Sequence, residues 1–198
     1  IRALRLQHPD VDVLILDDGL QHYRLRRDVE IAVVDRRGSG NRFFLPAGPL
    51  REGERRLRSV DAVVFNAAPA TGKNAFAMAL EGDTLHRMTD ANDRRPASAF
   101  AGQRIHAVAG IGEPNRFFSH LLRLGLKPLP HPFPDHYPFT PRDLEFAAGA
   151  PVVMTEKDAV KLRRLAQPGW WVLPVTARLD PAFGDWLQAK LKKPQRFQ

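Results

Sequence analysis

Apolar positions fall along this chain in short continuous runs, and most of the runs stop at a carboxylate, an amide or a glycine. Val11-Asp12-Val13-Leu14-Ile15-Leu16 ends in Asp17-Asp18-Gly19, Ile31-Ala32-Val33-Val34 ends in Asp35, and Ala62-Val63-Val64-Phe65 ends in Asn66. Continuous apolar runs of this length fit strands covered on both faces, so the pattern predicts an α/β protein with a largely parallel sheet. Further strands are expected at 75–81, 104–112 (ending in a glycine turn), 127–133, 151–155 and 170–175.

Helical spacing appears between these runs. Ile1 to Gln7 reads as the last turns of an amphipathic helix stopped by Pro9. Glu113-Pro114 opens a helix with the face Phe117, Phe118, Leu121, Leu122 and Leu124, closed by Gly125. Thr140-Pro141 starts another, Glu156 to Leu162 a third, and a terminal amphipathic helix carries Phe183, Trp186, Leu187 and Leu191. Residues 38–52 hold too much glycine and proline for a helix and read as an ordered loop, with a short helix over 53–58. The polar stretch Asp90 to Pro96 reads as the edge of a domain, which divides the chain into lobes over residues 1–100 and 101–198. A helix tail followed at once by a buried strand leads to the expectation that the N-terminal part of the first lobe is missing.

Seventeen prolines and fourteen glycines in 198 residues agree with many short elements and exclude a helical bundle. The absence of cysteine excludes disulfides and thiolate metal sites and fits a reducing compartment. No apolar run approaches the ~18 residues that span a bilayer. Thirty Lys and Arg against 22 Asp and Glu give a formal net charge of +8, which favours an anionic partner or simply solubility.

The candidate chemistry begins with Asp17 and Asp18. Two adjacent carboxylates at the end of an apolar strand cannot both cap a helix, whereas a hard cation carrying nucleotide phosphates takes such a pair. This is the physical content of a Walker B motif, and either aspartate would serve as the direct ligand. Gln21 and His22 either join that site or hold loop backbone. Ala70-Thr71-Gly72-Lys73-Asn74 resembles a phosphate loop only superficially. Ala67 stands where a glycine is needed and Asn74 where a hydroxyl is needed. In Pro134-Asp135-His136-Tyr137-Pro138-Phe139, two prolines stiffen the backbone around an imidazole suited to general-base or orienting work. Thr155-Glu156-Lys157-Asp158 lies where a strand passes into a helix, and Lys157 there would meet either a phosphate or a neighbouring carboxylate.

Together these motifs resemble the tetraacyldisaccharide 4′-kinase family of lipid A biosynthesis. The resemblance rests on Asp17 to Leu25 with Arg27-Asp28, Leu45-Pro46-Ala47-Gly48-Pro49-Leu50-Arg51-Glu52, Phe133 to Phe139, and Thr155 to Lys161, in that order. It implies a P-loop NTPase-like kinase lobe with a second, smaller α/β lobe, using ATP and Mg²⁺. The γ-phosphate would pass to the 4′-hydroxyl of a tetraacyldisaccharide 1-phosphate, giving lipid IVA. The partners implied are the lipid disaccharide and the anionic surface of the bacterial inner membrane, met peripherally from the cytoplasmic face. A monomer is expected, and no nucleic-acid partner.

By position, Asp17 and Asp18 match the family's metal-associated acidic pair and His136 its active-site histidine. Arg51 and Glu52 fall in an active-site segment, and Gln21, His22 and Lys157 join as substrate-binding candidates. The family's Walker A loop and the aspartate that partners the histidine fall upstream of Ile1, so this stretch is expected not to bind ATP in the normal way. Two rival readings differ in class. A basic nucleic-acid-binding module would interleave aromatics with arginines, and a metal-dependent phosphohydrolase using Asp17, Asp18 and His22 would need further converging ligands.

Overall fold

A computed structural model describes residues 2–147 and 149–192 of the chain. In order these form α1 (Arg2–Gln7), β1 (Ile31–Asp35), β2 (Ala62–Asn66), β3 (Ala75–Glu81), β4 (Thr84–Arg87), β5 (Arg94–Pro96), β6 (Arg104–Ala109), α2 (Pro114–Arg123), β7 (Lys127–Pro132), β8 (Val152–Thr155), α3 (Glu156–Leu162), β9 (Trp170–Leu173), β10 (Thr176–Leu179) and α4 (Pro181–Leu191). Short 3-10 turns at Glu54–Arg58, Ala97–Phe100, Pro141–Ala147 and Arg163–Leu165 link them. The chain divides into two compact units, Ile1–Ala79 with Leu179–Gln198, and Leu80–Arg178. Residue 100, near which the sequence places the lobe boundary, therefore lies inside the second unit.

In the first unit β1, β2 and β3 run parallel, with Ile31 opposite Ala62 and Val63 opposite Ala75. Ala32, Ala62, Val64 and Phe76 are buried there. The Phe76 ring meets Phe183 and Trp186 of α4 at 5.3 and 5.6 Å between centroids, so the terminal helix is held by aromatic packing.

The strand expected over 11–16 does not form. The segment carries no regular secondary structure, and Val13 and Ile15 are 54% and 92% exposed. An apolar run becomes a strand only when another backbone lies opposite to complete its hydrogen bonds. The ladder of this unit begins at β1, and among the described residues no strand pairs with 11–16.

The second unit is a six-stranded sheet in the order β5-β4-β9-β8-β6-β7. β9, β8, β6 and β7 are parallel, and β4 joins β9 and β5 antiparallel. Period-2 geometry sorts the buried strands into two cores. Val153, Trp171 and Leu173 face Phe117, Phe118 and Leu121 of α2, while Val152, Met154, Trp170 and Val172 share the other face with Leu144 and Leu162. Each such side chain, fully buried, contributes about 1.5–3 kcal/mol.

α2 begins with Pro114 at its first turn and ends before Gly125, whose φ of +79° is one that glycine adopts without strain. Leu122, assigned by spacing to the buried face, is instead 60% exposed. The expected helix after Thr140 is a 3-10 turn, and the Asp143 carboxylate accepts from both Thr140 N and Oγ1 at 2.7 Å. The polar stretch at 90–96 contributes an edge strand, β5, ending at Pro96, a position where proline loses no ladder bond.

Candidate active site

Each unit holds one cluster of the residues singled out from sequence. In the first, Asp17 and Asp18 form a turn, with Asp18 at φ +50°, a conformation aspartate tolerates better than bulkier residues. Gly19 is required by space, because a Cβ there would lie 2.9 Å from Leu16 Cβ. His22 N closes the turn onto Gly19 O at 3.1 Å, and Arg27 donates to the carbonyls of Gly19 and Leu20. Arg27 is in turn held by Glu30 at 2.7 Å, and Glu30 also takes Arg56 at 2.7 Å. The Arg56 hydrogen bond keeps the Glu30 carboxyl below its usual range, against partial burial. This half-buried Arg27–Glu30–Arg56 anchor is structural and fixes the turn that carries the aspartates.

The loop after β1 delivers Arg51 and Glu52 to the same place. Arg51 Nη1 donates to both Asp18 oxygens, at 3.0 and 2.8 Å, and stands 3.4 Å from Gln21 Oε1. Gln21 Nε2 donates to Glu52 Oε1 at 2.8 Å, and the Tyr23 hydroxyl donates to Glu52 Oε2. The Tyr23 contact, helped by Gln21 and Arg56, lowers the Glu52 pKa; the same contact with Glu52 raises that of Tyr23, against the pull of Arg56. The structure thus brings together Asp18, Gln21, Arg51 and Glu52. Asp17 is exposed, and His22 lines an open concavity with Leu16, Gln21, Tyr23, Arg24 and Leu25.

The second cluster sits at the carboxyl ends of the parallel strands. From β6 the chain runs to β7 on one side, and β8 lies on the other, which makes a topological switch point. Loops from all three strands meet there. Asp158, fully buried at the start of α3, accepts from Gly110 N at 2.9 Å, Thr155 Oγ1 at 2.7 Å and Lys161 Nζ at 2.9 Å. Lys161 Nζ also donates to Gly110 O at 3.1 Å, so the buried Asp158 and its half-buried partner are both surrounded by hydrogen-bonding groups. Thr155 caps α3 as its spacing predicts, accepting from Asp158 N at 3.2 Å. The Asp158 carboxylate, however, reaches across to β6 and Lys161. Gly110 leaves no room for a side chain: a Cβ would lie 3.0 Å from Asp158 Oδ1 and 3.2 Å from Phe139 Cζ.

On the loop after β7, Asp135 Oδ1 accepts from Lys157 Nζ at 2.7 Å and from His136 N at 3.0 Å. His136 Nε2 lies 3.8 Å from Asp135 Oδ2, with its side chain 78% exposed and φ at +60°. Lys157 first, then His136, hold the Asp135 carboxyl below its usual range. Of the two sequence readings of Lys157, the contact seen is the carboxylate. Tyr137 N returns to Pro134 O at 3.2 Å, and Phe133, Tyr137 and Phe139 pack with centroids 4.9 to 5.3 Å apart, so the imidazole stands on a stiff loop.

The supporting role of Arg27, Glu30 and Arg56 is not evident from sequence alone. The i,i+3 spacing of Arg27 and Glu30 is visible in sequence, but the link to Arg56 spans 26 residues. Among the described residues no group of three His, Asp or Glu side chains gathers into a metal cage. A magnesium ion that keeps its waters and phosphate oxygens needs only one or two carboxylates; Asp17 is exposed, whereas both oxygens of Asp18 accept from Arg51.

Comparison with known proteins places these clusters in context. The profile of the LpxK family, tetraacyldisaccharide-1-P 4′-kinase, matches residues 1–192. The tetraacyldisaccharide 4′-kinase of Aromatoleum aromaticum is 52% identical over 197 residues, covering 96% of this chain and 58% of that protein. That of Pseudomonas putida strain W619 is 49% identical over 195 residues, covering 98% and 57%. The crystal structure of LpxK from Aquifex aeolicus in complex with ATP superposes with a TM-score of 0.71 at 29% identity, over 96% of this chain and 59% of that one. The chain therefore spans somewhat under three-fifths of the length of the curated relatives it matches.

Proposed function

The chain belongs to the tetraacyldisaccharide-1-phosphate 4′-kinase family, and from that premise we propose that it contributes to transfer of the ATP γ-phosphate to the 4′-hydroxyl of a tetraacyldisaccharide 1-phosphate, forming lipid IVA. The observation that carries the reading is the family match itself, which runs unbroken through the segments bearing Asp17 to Glu52 and Asp135 to Lys161. The first unit would form part of the nucleotide lobe, and the second the smaller lobe.

Phosphoryl transfer asks a protein for positioning and charge neutralisation more than for covalent chemistry. Mg²⁺ held by Asp17 and Asp18 would offset charge on the phosphate oxygens. Arg51, anchored on Asp18 and Gln21, would fix the geometry of that wall. The His136 imidazole, exposed on its stiff loop, would orient the sugar hydroxyl or accept its proton. Lys157 would meet a substrate phosphate by exchanging Asp135 for it. The membrane partner proposed is the anionic cytoplasmic face of the inner membrane, which the +8 charge suits.

The test is incubation of the complete protein, this chain together with the upstream Walker A segment that the resemblance implies, with ATP, Mg²⁺ and tetraacyldisaccharide 1-phosphate in detergent, followed by mass spectrometry of the lipid. Gain of one phosphate on the distal sugar is expected. Phosphate loss from the lipid without ATP would favour the phosphohydrolase instead. Salt-sensitive binding to nucleic acid with no lipid turnover would favour the binding module.

A further inference from the structure

Asp158 and Lys161 form a charge pair that a helix cap does not need. Thr155 already caps α3 through its hydroxyl, and Asp158 lies fully buried behind it. A sheltered ion pair seldom outdoes apolar side chains of the same volume in stability, because desolvation offsets the attraction. Stability alone therefore gives little reason to keep the pair, and its contacts supply another.

Lys161 reaches three segments at once. Its Nζ donates to Asp158 Oδ1 at 2.9 Å on α3 and to Gly110 O at 3.1 Å just beyond β6. The same ammonium stands 5.5 Å from the centroid of the Phe139 ring, within cation–π range. Gly110 is gripped at both backbone groups, its N–H by Asp158 and its carbonyl by Lys161. It is also the floor of the loop that carries His136, since a Cβ there would meet Phe139 Cζ at 3.2 Å and Pro134 O at 3.4 Å.

That loop needs an outside hold. His136 has φ +60°, a left-handed conformation that costs energy in any residue but glycine. Its side chain is exposed and brings little packing of its own. The contact between Lys157 and Asp135 at 2.7 Å joins two exposed side chains, where water and salt weaken it. The contacts of Lys161 are sheltered, and electrostatic attraction is stronger there.

We infer that Lys161 is a positioning residue for His136: held by Asp158, it clamps Gly110 and the Phe139 ring and so fixes the loop that presents the imidazole. It acts through the loop rather than on the substrate. The inference rests on the kinase reading, in which that imidazole serves the sugar hydroxyl, and adds Asp158, Lys161 and Phe139 to it. A misplacement of about 1 Å at a reacting group costs on the order of a hundredfold in rate, so such a clamp shows itself in kcat.

The test uses the complete protein, with the upstream Walker A segment present. Asp158→Asn with Lys161→Met removes both charges together and leaves neither one unpaired. The double variant should lower kcat about ten- to hundredfold, with the KM values for ATP and lipid little changed. In a His136→Ala background the same two substitutions should cost less than about a further twofold, because their effect runs through the imidazole. Phe139→Leu keeps the ion pair, removes the ring that Lys161 faces, and should show the same dependence on His136. Tyr137 N bonds to Pro134 O across the loop, and its amide should exchange hydrogen faster in the double variant.

Equal losses with and without His136 overturn the proposal, since the cluster would then support the fold at large. Unchanged kcat overturns it too, as does a raised KM for the lipid with kcat intact. If the double variant does not fold, Phe139→Leu in the two backgrounds decides by the same criteria. If the complete protein phosphorylates no lipid, the kinase reading falls and the amide decides. Faster exchange at Tyr137 then keeps Lys161 as the clamp of the loop, and unchanged exchange removes it.

Discussion

At the scale of single residues, burial and pairing set the protonation behaviour of the second unit. His106 and His131 share one hydrogen bond, Nδ1 to Nε2 at 2.8 Å, and His131 stacks on Phe146 with centroids 3.6 Å apart. Burial first, with Arg104 acting on His106 and His106 on His131, pushes both imidazoles below their ordinary range. Both are therefore neutral in the folded protein at neutral pH. Their stabilising contribution is complete above the unfolded value of about 6.5 and is lost as pH falls through the lower folded values. Replacing His131 by asparagine should flatten the fall in melting temperature between pH 7 and pH 5, read by thermal unfolding across that range. An unaltered slope would mean that the pair does not titrate with folding. Nothing local marks this pair: the two residues are 25 positions apart, and only the parallel pairing of β6 with β7 sets them side by side. His136, by contrast, was legible because its flanking prolines announced a stiff loop.

At the scale of elements, the first turn of α3 ties the carboxyl end of β8 to that of β6. Asp158 is the centre of that tie, and its removal leaves Lys161, 22% exposed, beside an apolar core without its counter-charge. Asp158→Ala should lower stability by about 3–5 kcal/mol in chemical denaturation, and adding Lys161→Met should restore much of the loss. A double variant as unstable as the single one would show that the hydrogen bonds to Gly110 and Thr155, not the charge pair, carry the stability.

The elements most legible from sequence are those whose physics is local. β8 and β9 are continuous apolar runs buried on both faces, and Pro114 and Gly125 bracket α2. β4 and β5 are not legible, because Thr84-Leu85-His86-Arg87 and Arg94-Arg95-Pro96 hold too few apolar side chains to show a period. The segment 11–16 shows the converse, an apolar pattern with no partner backbone among the described residues to make it a strand. Arg51 and Glu52 were placed by motif, but their grip on Asp18 and Gln21 depends on a loop geometry that no local rule supplies.

At the scale of the molecule, the two units differ in how much they bury. Among the described residues, both hydrophobic core clusters lie in the second unit, centred on β6, β8 and β9. The first buries chiefly Ala32, Ala62, Val64 and Phe76. Amide hydrogen exchange on this chain should therefore be slowest along β6, β8 and β9 and faster by orders of magnitude along β1 and β2. Equal protection in the two units would contradict this ranking of their cores.

Both candidate clusters fall in segments matched by one family profile, one cluster in each unit, so the decisive measurement is kinetic. Steady-state phosphorylation of tetraacyldisaccharide 1-phosphate by ATP should be compared for the complete protein, with the upstream Walker A segment present, and for its Asp18→Ala and His136→Ala variants. Loss of the imidazole should lower kcat by roughly 10²–10⁴-fold with little change in KM for the lipid. Asp18→Ala should lower turnover at least as much and respond to Mg²⁺ concentration. Turnover unchanged in both variants would contradict the assignment of these residues to the reaction.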